Sequence, residues 1–387
     1  MIVYDKIALQ NSELLNEAQS LQKAGFIDRV QYNTVTKALV TLKTHDNLLV
    51  RALFFILGVF LYSSICSFFA LASLEALDTN YEYLVFFFAI VGFAGAEILA
   101  RSKFYGHGLD DAFILGSQLT LAIAVGIATD GNEVVIAALL TATAISSYLR
   151  YLHLSMALLF CLALTATLIF GIFKLDKSIH PFLPFIMMAY ALALYFSSKT
   201  AVQKLAIPFY YNGLLFTKYI AQILFYFSGN YLVVRELSIE LLGQDVATGS
   251  DIPFAYLFYA FTFIVPAGYL YFALLKKDRI LLYIGLLSLC FSVYTIRFYY
   301  SVMPIEVALT IGGAVLFAIA LWAIKILKEK ETGITFQADR FTETNSFLKA
   351  EILLASQMGG LKPEIITESP MEFGGGDFSG GGSQGSF

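Results

Sequence analysis

Charge is what this chain has least of. Asp, Glu, Lys and Arg make up only 14% of its 387 residues, well below the roughly one-quarter typical of a soluble globular protein. A chain this long and this poor in charge lacks the polar groups to cover a surface in water. The net charge of -4, with no basic cluster anywhere, argues against a nucleic-acid-binding surface. Cysteine is scarce too: Cys66, Cys161 and Cys290 each stand alone inside an apolar run. That pattern shows neither metal-ligand spacing nor an exposed setting for disulfides, so all three are expected to be small buried hydrophobes. No glycine-rich phosphate loop, no His/Glu metal spacing and no G-x-S-x-G nucleophile turn is present, so no catalytic residue, metal or cofactor is expected and an enzyme is disfavoured. The opening "MIVYDKIALQNSELLNEAQ" lacks the basic-then-apolar pattern of a cleaved signal peptide, so the first hydrophobic span is expected to direct insertion.

What the chain has instead is 58% hydrophobic residues, gathered in long runs. A bilayer core of roughly 30 Å takes about 20 apolar residues per helix. Ten stretches meet that requirement: 52–74, 83–100, 111–128, 133–149, 154–174, 181–197, 211–233, 253–275, 279–297 and 304–326. The expected fold is therefore all-α, a polytopic membrane helix bundle of about ten transmembrane helices. Short cytoplasmic loops collect Lys and Arg. With the N-terminus inside, those loops hold Arg101, Lys103, Arg150, Lys199, Lys204, Lys276, Lys277 and Arg279, while the outer loops hold only Lys174, Lys177, Arg235 and Arg297. Both termini are accordingly expected in the cytoplasm.

Residues 1–50 read as a cytoplasmic helical hairpin cap ahead of the bundle, 51–328. Ser12 is placed to cap a first helix and Gly25 to end it; Asp28 and Gln31 have capping-box spacing for a second. Leu14, Leu15, Ala18 and Leu21 give the first helix an apolar face. Residues 329–370 form a cytoplasmic segment with an amphipathic helix at "NSFLKAEILLASQM". Glycine fills seven of the last fourteen positions, so the tail 371–387 buries too little to offset the entropy of ordering and is expected to be disordered. Phe373, Phe378 and Phe387 are its candidate docking anchors.

Ionisable and amide groups inside a membrane are costly, which makes each a functional candidate. Glu97 stands four residues before Arg101, as a helical ion pair would, and Asp110 and Asp111 open the third span, where acids suit a helix N-terminus, so these read as structural. "YGHGLDD" just before it reads as a tight turn and helix start rather than a metal site. In the seventh span Lys218, Gln222, Tyr226 and Asn230 recur every four residues and share one slowly drifting face. That face reads either as an interhelical polar seam or as the lining of a substrate path, with Gln118 of the third span as the partner nearest in depth. Pro266 is expected to kink the eighth span, and Gly92 with Ala96 has the spacing for close helix contact.

The lead-in "AQSLQKAGFIDRVQYNTV" together with "LDDAFILGSQLTLAIAVGIA" resembles uncharacterised bacterial multi-pass membrane proteins, in which a helical cap precedes the bundle and a Gly/Ser-rich tail follows it. The resemblance implies a bacterial inner membrane and no particular activity. The expected function is that of a non-enzymatic membrane protein acting through the bilayer and through a protein partner at the cap or tail. The alternative is a secondary transporter of a small solute using the polar face of the seventh span.

Overall fold

The computed structural model describes residues 2–299 apart from 24, 46, 176, 206–207 and 243–250, together with isolated positions between 307 and 325. The chain divides into two units, 1–339 and 340–387, and all described residues lie in the first. Most of the expected tenth span at 304–326, and all of the amphipathic segment and the tail with Phe373, Phe378 and Phe387, lie outside the described residues.

Helix α1 (Lys6–Lys23) begins earlier than the sequence suggests. The Asp5 carboxylate accepts from the Ile7 amide at 3.1 Å, while Ser12 sits mid-helix and donates to the Ala8 carbonyl at 2.9 Å. A serine bonded back to position i−4 has no role as a cap, so the cap expected at Ser12 belongs to Asp5. The helix closes in a Schellman motif, with Phe26 N–H on Leu21 C=O and Gly25 N–H on Gln22 C=O, and Gly25 holds the left-handed φ of 79° that this ending needs. Helix α2 (Arg29–Ala38) opens with the reciprocal Asp28–Gln31 capping box.

Beyond α2 the chain is extended, and Lys43 pairs through its backbone with Lys103 and Tyr105 at 2.7 and 3.1 Å. Helices α3 (Leu48–Ala72), α4 (Leu74–Arg101), α5 (Leu109–Ala128), α6 (Glu133–Tyr151), α7 (Leu154–Phe173) and α8 (Leu183–Gln203) follow, then α9 (Tyr211–Gly229), α10 (Tyr231–Leu242), α11 (Ala255–Lys276) and α12 (Arg279–Tyr299). Among the described residues the chain is mostly helical and has no strand, only one isolated bridge, Lys43 to Phe104. Eight of these helices are long and apolar enough to cross a membrane: α3 to α8, α11 and α12. Their outer faces expose large apolar side chains, Leu53 at 66%, Phe60 at 67% and Leu287 at 71%, which water would penalise and lipid accepts. This is a multi-pass, all-α membrane bundle.

One expected span is corrected. The stretch 211–233 is not a single helix: α9 stops at Gly229, Asn230 turns out of helical geometry at ψ 129°, and α10 starts at Tyr231. The reason is local, because Asn230 ends one helix and its side-chain oxygen accepts from the Val233 amide of the next, at 3.3 Å. With Asn212, Lys218 and Gln222 along it, α9 is not among the eight apolar helices.

Helices pack closely where side chains are small. A Cβ on Gly92 would lie 2.7 Å from Ser117 Cβ, and Ala96 one turn on is fully buried, so α4 and α5 meet as the Gly–Ala spacing predicts. Gly213 on α9 is tighter: a Cβ there would fall 1.8 Å from the hydroxyl of Tyr148 on α6. That hydroxyl donates to the Tyr210 carbonyl at 3.2 Å, and Tyr210 returns a bond to the Leu149 carbonyl at 3.0 Å. Gly213→Ala should therefore expel Tyr148 and lower thermal stability in detergent by about 1–3 kcal/mol. Gly171→Ala, where a Cβ has open space, should leave the melting temperature unchanged.

Candidate functional site

At the end of the bundle that carries the N-terminal segment, four charged side chains meet. The turn between α4 and α5 makes the first half of the site. Gly108 has φ 107°, and a Cβ there would come within 2.3 Å of the Arg51 carbonyl oxygen, so only glycine brings this turn against α3. The turn folds three amides onto Asp110, which accepts from Gly106 at 2.7 Å and from His107 and Gly108 at 3.0 Å each. "YGHGLDD" is thus a tight turn and helix start, as read from the sequence. The neighbouring Asp111 takes both Nε and Nη2 of Arg51, at 2.7 and 2.8 Å, a bidentate pair linking α3 to α5.

The second half comes from the two-residue link between α6 and α7. Leu152 adopts a left-handed φ of 58°, turning the chain sharply enough to aim His153 inward. His153 Nδ1 lies 2.7 Å from Asp111 Oδ1 and Nε2 lies 3.3 Å from Asp110 Oδ2, in a side chain only 2% exposed. Tyr4 covers the site from the N-terminal segment, its hydroxyl 3.5 Å from Nε2, and the Tyr105 ring stands edge-on to the imidazole. Val3 N–H on the Arg150 carbonyl, at 3.1 Å, holds that segment down.

Two cations and two carboxylates make the group neutral when His153 is protonated. Burial alone would pull the imidazole's pKa down, but the hydrogen bonds and charges of Asp110 and Asp111 outweigh it and raise the pKa to about 9. Both ring nitrogens are then donors, Nδ1–H to Asp111 and Nε2–H shared between Asp110 and the Tyr4 oxygen. Burial, and then the charge of Asp110, hold the Tyr4 hydroxyl far above its usual pKa, so it stays protonated. Close by, Glu97 accepts from Arg101 at 3.1 Å as its i,i+4 spacing predicts, and also from Arg150 of α6 at 2.6 Å.

The residues singled out on the seventh span divide among three settings. Lys218 lies 3.7 Å from Asp278, whose carboxylate also accepts from Tyr219. Tyr226 and Asn230 are wholly interior: the Tyr226 hydroxyl bonds Ser292 and the Ser288 carbonyl at 2.8 Å each, and Asn230 bonds Tyr226 at 2.9 Å and Thr295 at 3.2 Å. Gln222 stands apart, its side-chain oxygen buried and unpartnered. Gln118 does not join them; it pairs with Ser147 and Thr143 of α6 at 3.0 and 2.8 Å, because α5 packs on α6. Pro266 is buried in α11, where its missing N–H frees the Thr262 carbonyl. Ser292 of α12 donates to that carbonyl at 2.6 Å, so the proline is a packing device between α11 and α12.

Sequence reasoning placed Asp110 and Asp111 at a helix start and read them as structural, and it missed their partners. Arg51 and His153 stand 60 and 42 residues from Asp111, a separation with no periodic signal. The available clue was that both flank predicted spans on the same side. Among the described residues no three His, Cys, Asp or Glu side chains are arranged to hold a metal ion. The chain matches no family model, no curated protein and no solved structure.

The raised pKa of His153 sets a pH dependence. Its stabilising contribution is complete below its ordinary value of 6.5 and is lost as pH rises through about 9. Thermal stability in mild detergent should decline across that window. His153→Gln should flatten the decline; an identical slope in the variant would remove His153 as its source.

Proposed function

We propose that this chain is a non-enzymatic, multi-pass membrane protein that works by presenting its N-terminal helical cap to a protein partner. It crosses the membrane ten times, with α9 and the stretch at 304–326 as the further crossings. Both termini are cytoplasmic, and the membrane is the bacterial inner membrane. The orientation is supported by the basic residues: Arg51, Arg101, Lys103, Arg150, Lys199, Lys204, Lys276 and Lys277 all belong to the end at which the cap docks. Asp110, Asp111, His153 and Arg51 bond one another and the adjoining backbone, which suits a fastening better than a reaction centre.

One observation carries the reading. The cap is bolted to the bundle through Val3, Tyr4 and Lys43, with Ala8, Leu9 and Leu42 buried in the main core, yet it leaves Ile7, Leu14 and Leu21 exposed at 65%, 50% and 42%. Their seven-residue spacing puts them in one stripe along α1, the geometry that receives an apolar seam of a second helix. Phe26 and Val30, at 78% and 72%, extend the same kind of surface onto the hairpin. The transporter reading is served less well, because Tyr226 and Asn230 are closed into a fully packed network.

A photoreactive residue at Leu14 should cross-link one protein in native membranes. Leu14→Glu should abolish co-purification of that protein by at least tenfold without lowering the melting temperature. Retention of the partner by Leu14→Glu would overturn the role of the stripe. In a background without the three native cysteines, a cysteine at Glu17 should react with an impermeant maleimide in inverted vesicles only; labelling in right-side-out vesicles would reverse the topology.

A further inference from the structure

α8, α9 and α11 leave between them a groove of about 380 Å³. Its walls are apolar and aromatic, with Tyr195 from α8 and Tyr269 and Phe272 from α11. On its rim Leu192, Phe196 and Phe272 are 41%, 57% and 50% exposed, so the groove opens sideways, toward the acyl chains rather than toward the aqueous loops. Its polar groups are unevenly placed. Lys199 lies four residues before the end of α8 and Lys276 ends α11, which puts two ammonium groups at the same end of the groove. Among the described residues neither forms an ion pair; the acid nearest this end, Asp278, is engaged by Lys218 and Tyr219. Deeper in the groove, four residues beyond Lys218, the Gln222 side-chain oxygen is buried with no donor, although its backbone carbonyl is satisfied by the Tyr269 hydroxyl at 2.8 Å.

An occupant that fits has three parts in order: an anion at headgroup depth, a hydrogen-bond donor below it, and one flexible apolar chain along the wall. We propose that this groove is a binding site for an anionic monoacyl glycerophospholipid from the cytoplasmic leaflet. The phosphate lies between Lys199 and Lys276, where each ammonium near a membrane surface is worth about 1 kcal/mol toward an anionic headgroup. The free glycerol hydroxyl, which stands between phosphate and chain, donates to Gln222 Oε1 and completes the buried acceptor. The single acyl chain covers Tyr195, Tyr269 and Phe272. A diacyl lipid lacks that hydroxyl on its glycerol backbone and so leaves the Gln222 oxygen unsatisfied.

Native mass spectrometry of the full-length protein in mild detergent, titrated with monoacyl phosphatidylglycerol, tests this without any protein partner present, so its outcome is independent of the cap's role. Monoacyl phosphatidylglycerol should bind at least roughly tenfold more tightly than monoacyl phosphatidylcholine, and the Lys199→Ala/Lys276→Ala double variant should lose roughly tenfold or more of that affinity. Gln222→Leu should weaken the monoacyl lipid and leave the diacyl form unchanged, with both variants melting like the parent chain. Equal affinity for the choline lipid, unchanged binding by the lysine double variant, or a diacyl lipid that binds as tightly as the monoacyl one would each overturn the proposal.

Discussion

Everything at the cap end of the bundle depends on a neutral set of four charges held out of water. An isolated carboxylate or guanidinium there would be expensive to bury, and a single ion pair often fails to repay its desolvation. Here Arg51, Asp111, His153 and Asp110 alternate in sign, and three backbone amides complete the outer carboxylate. The four members come from three places: α3, the start of α5, which supplies both aspartates, and the link between α6 and α7. The cluster therefore fixes the relative positions of four spans at one level. Tyr4 can lie over it only because that arrangement already exists.

Eight of the ten expected membrane spans were legible because lipid allows few solutions: long apolar runs separated by basic turns leave little freedom in helix position. The capping box at Asp28 and Gln31 and the close contact at Gly92 were legible for a similar reason, since each depends on neighbours a fixed few residues apart. The fourfold spacing that united Lys218, Gln222, Tyr226 and Asn230 misled at its last member. Periodicity assumes the helix continues, and an asparagine after a glycine serves equally well to stop one helix and cap another. Ser12 misled in the same way, since a hydroxyl that suits a cap also suits a bond to the preceding turn. The site itself was not legible: Asp110 and Asp111 read as ordinary helix-start acids, and Arg51 and His153 are joined to them only by tertiary folding.

Polar groups within the bundle follow one rule. Tyr226, Asn230, Ser292, Thr295 and Thr262 satisfy one another between α9, α11 and α12, and the carbonyl freed by Pro266 is part of the same set. Gln118 does likewise with Thr143 and Ser147. Such satisfied networks specify which helices pair, because lipid offers no hydrophobic preference among them. Against that background the unpaired oxygen of Gln222 stands out by its chemistry and not by its position in the sequence.

The contact between Tyr4 and His153 spans 149 residues, and this imposes an order on biogenesis. Tyr4 leaves the ribosome first, but its place does not exist until the link between α6 and α7 has been made and four spans have been threaded. At roughly 5–20 residues per second, that interval is on the order of ten seconds. On the proposed topology the cap spends it on the cytoplasmic side, tethered and unseated. Seating of the N-terminus therefore reports that the first four helices have come together, so the opening residues act as a latch that closes only over a correctly assembled half-bundle.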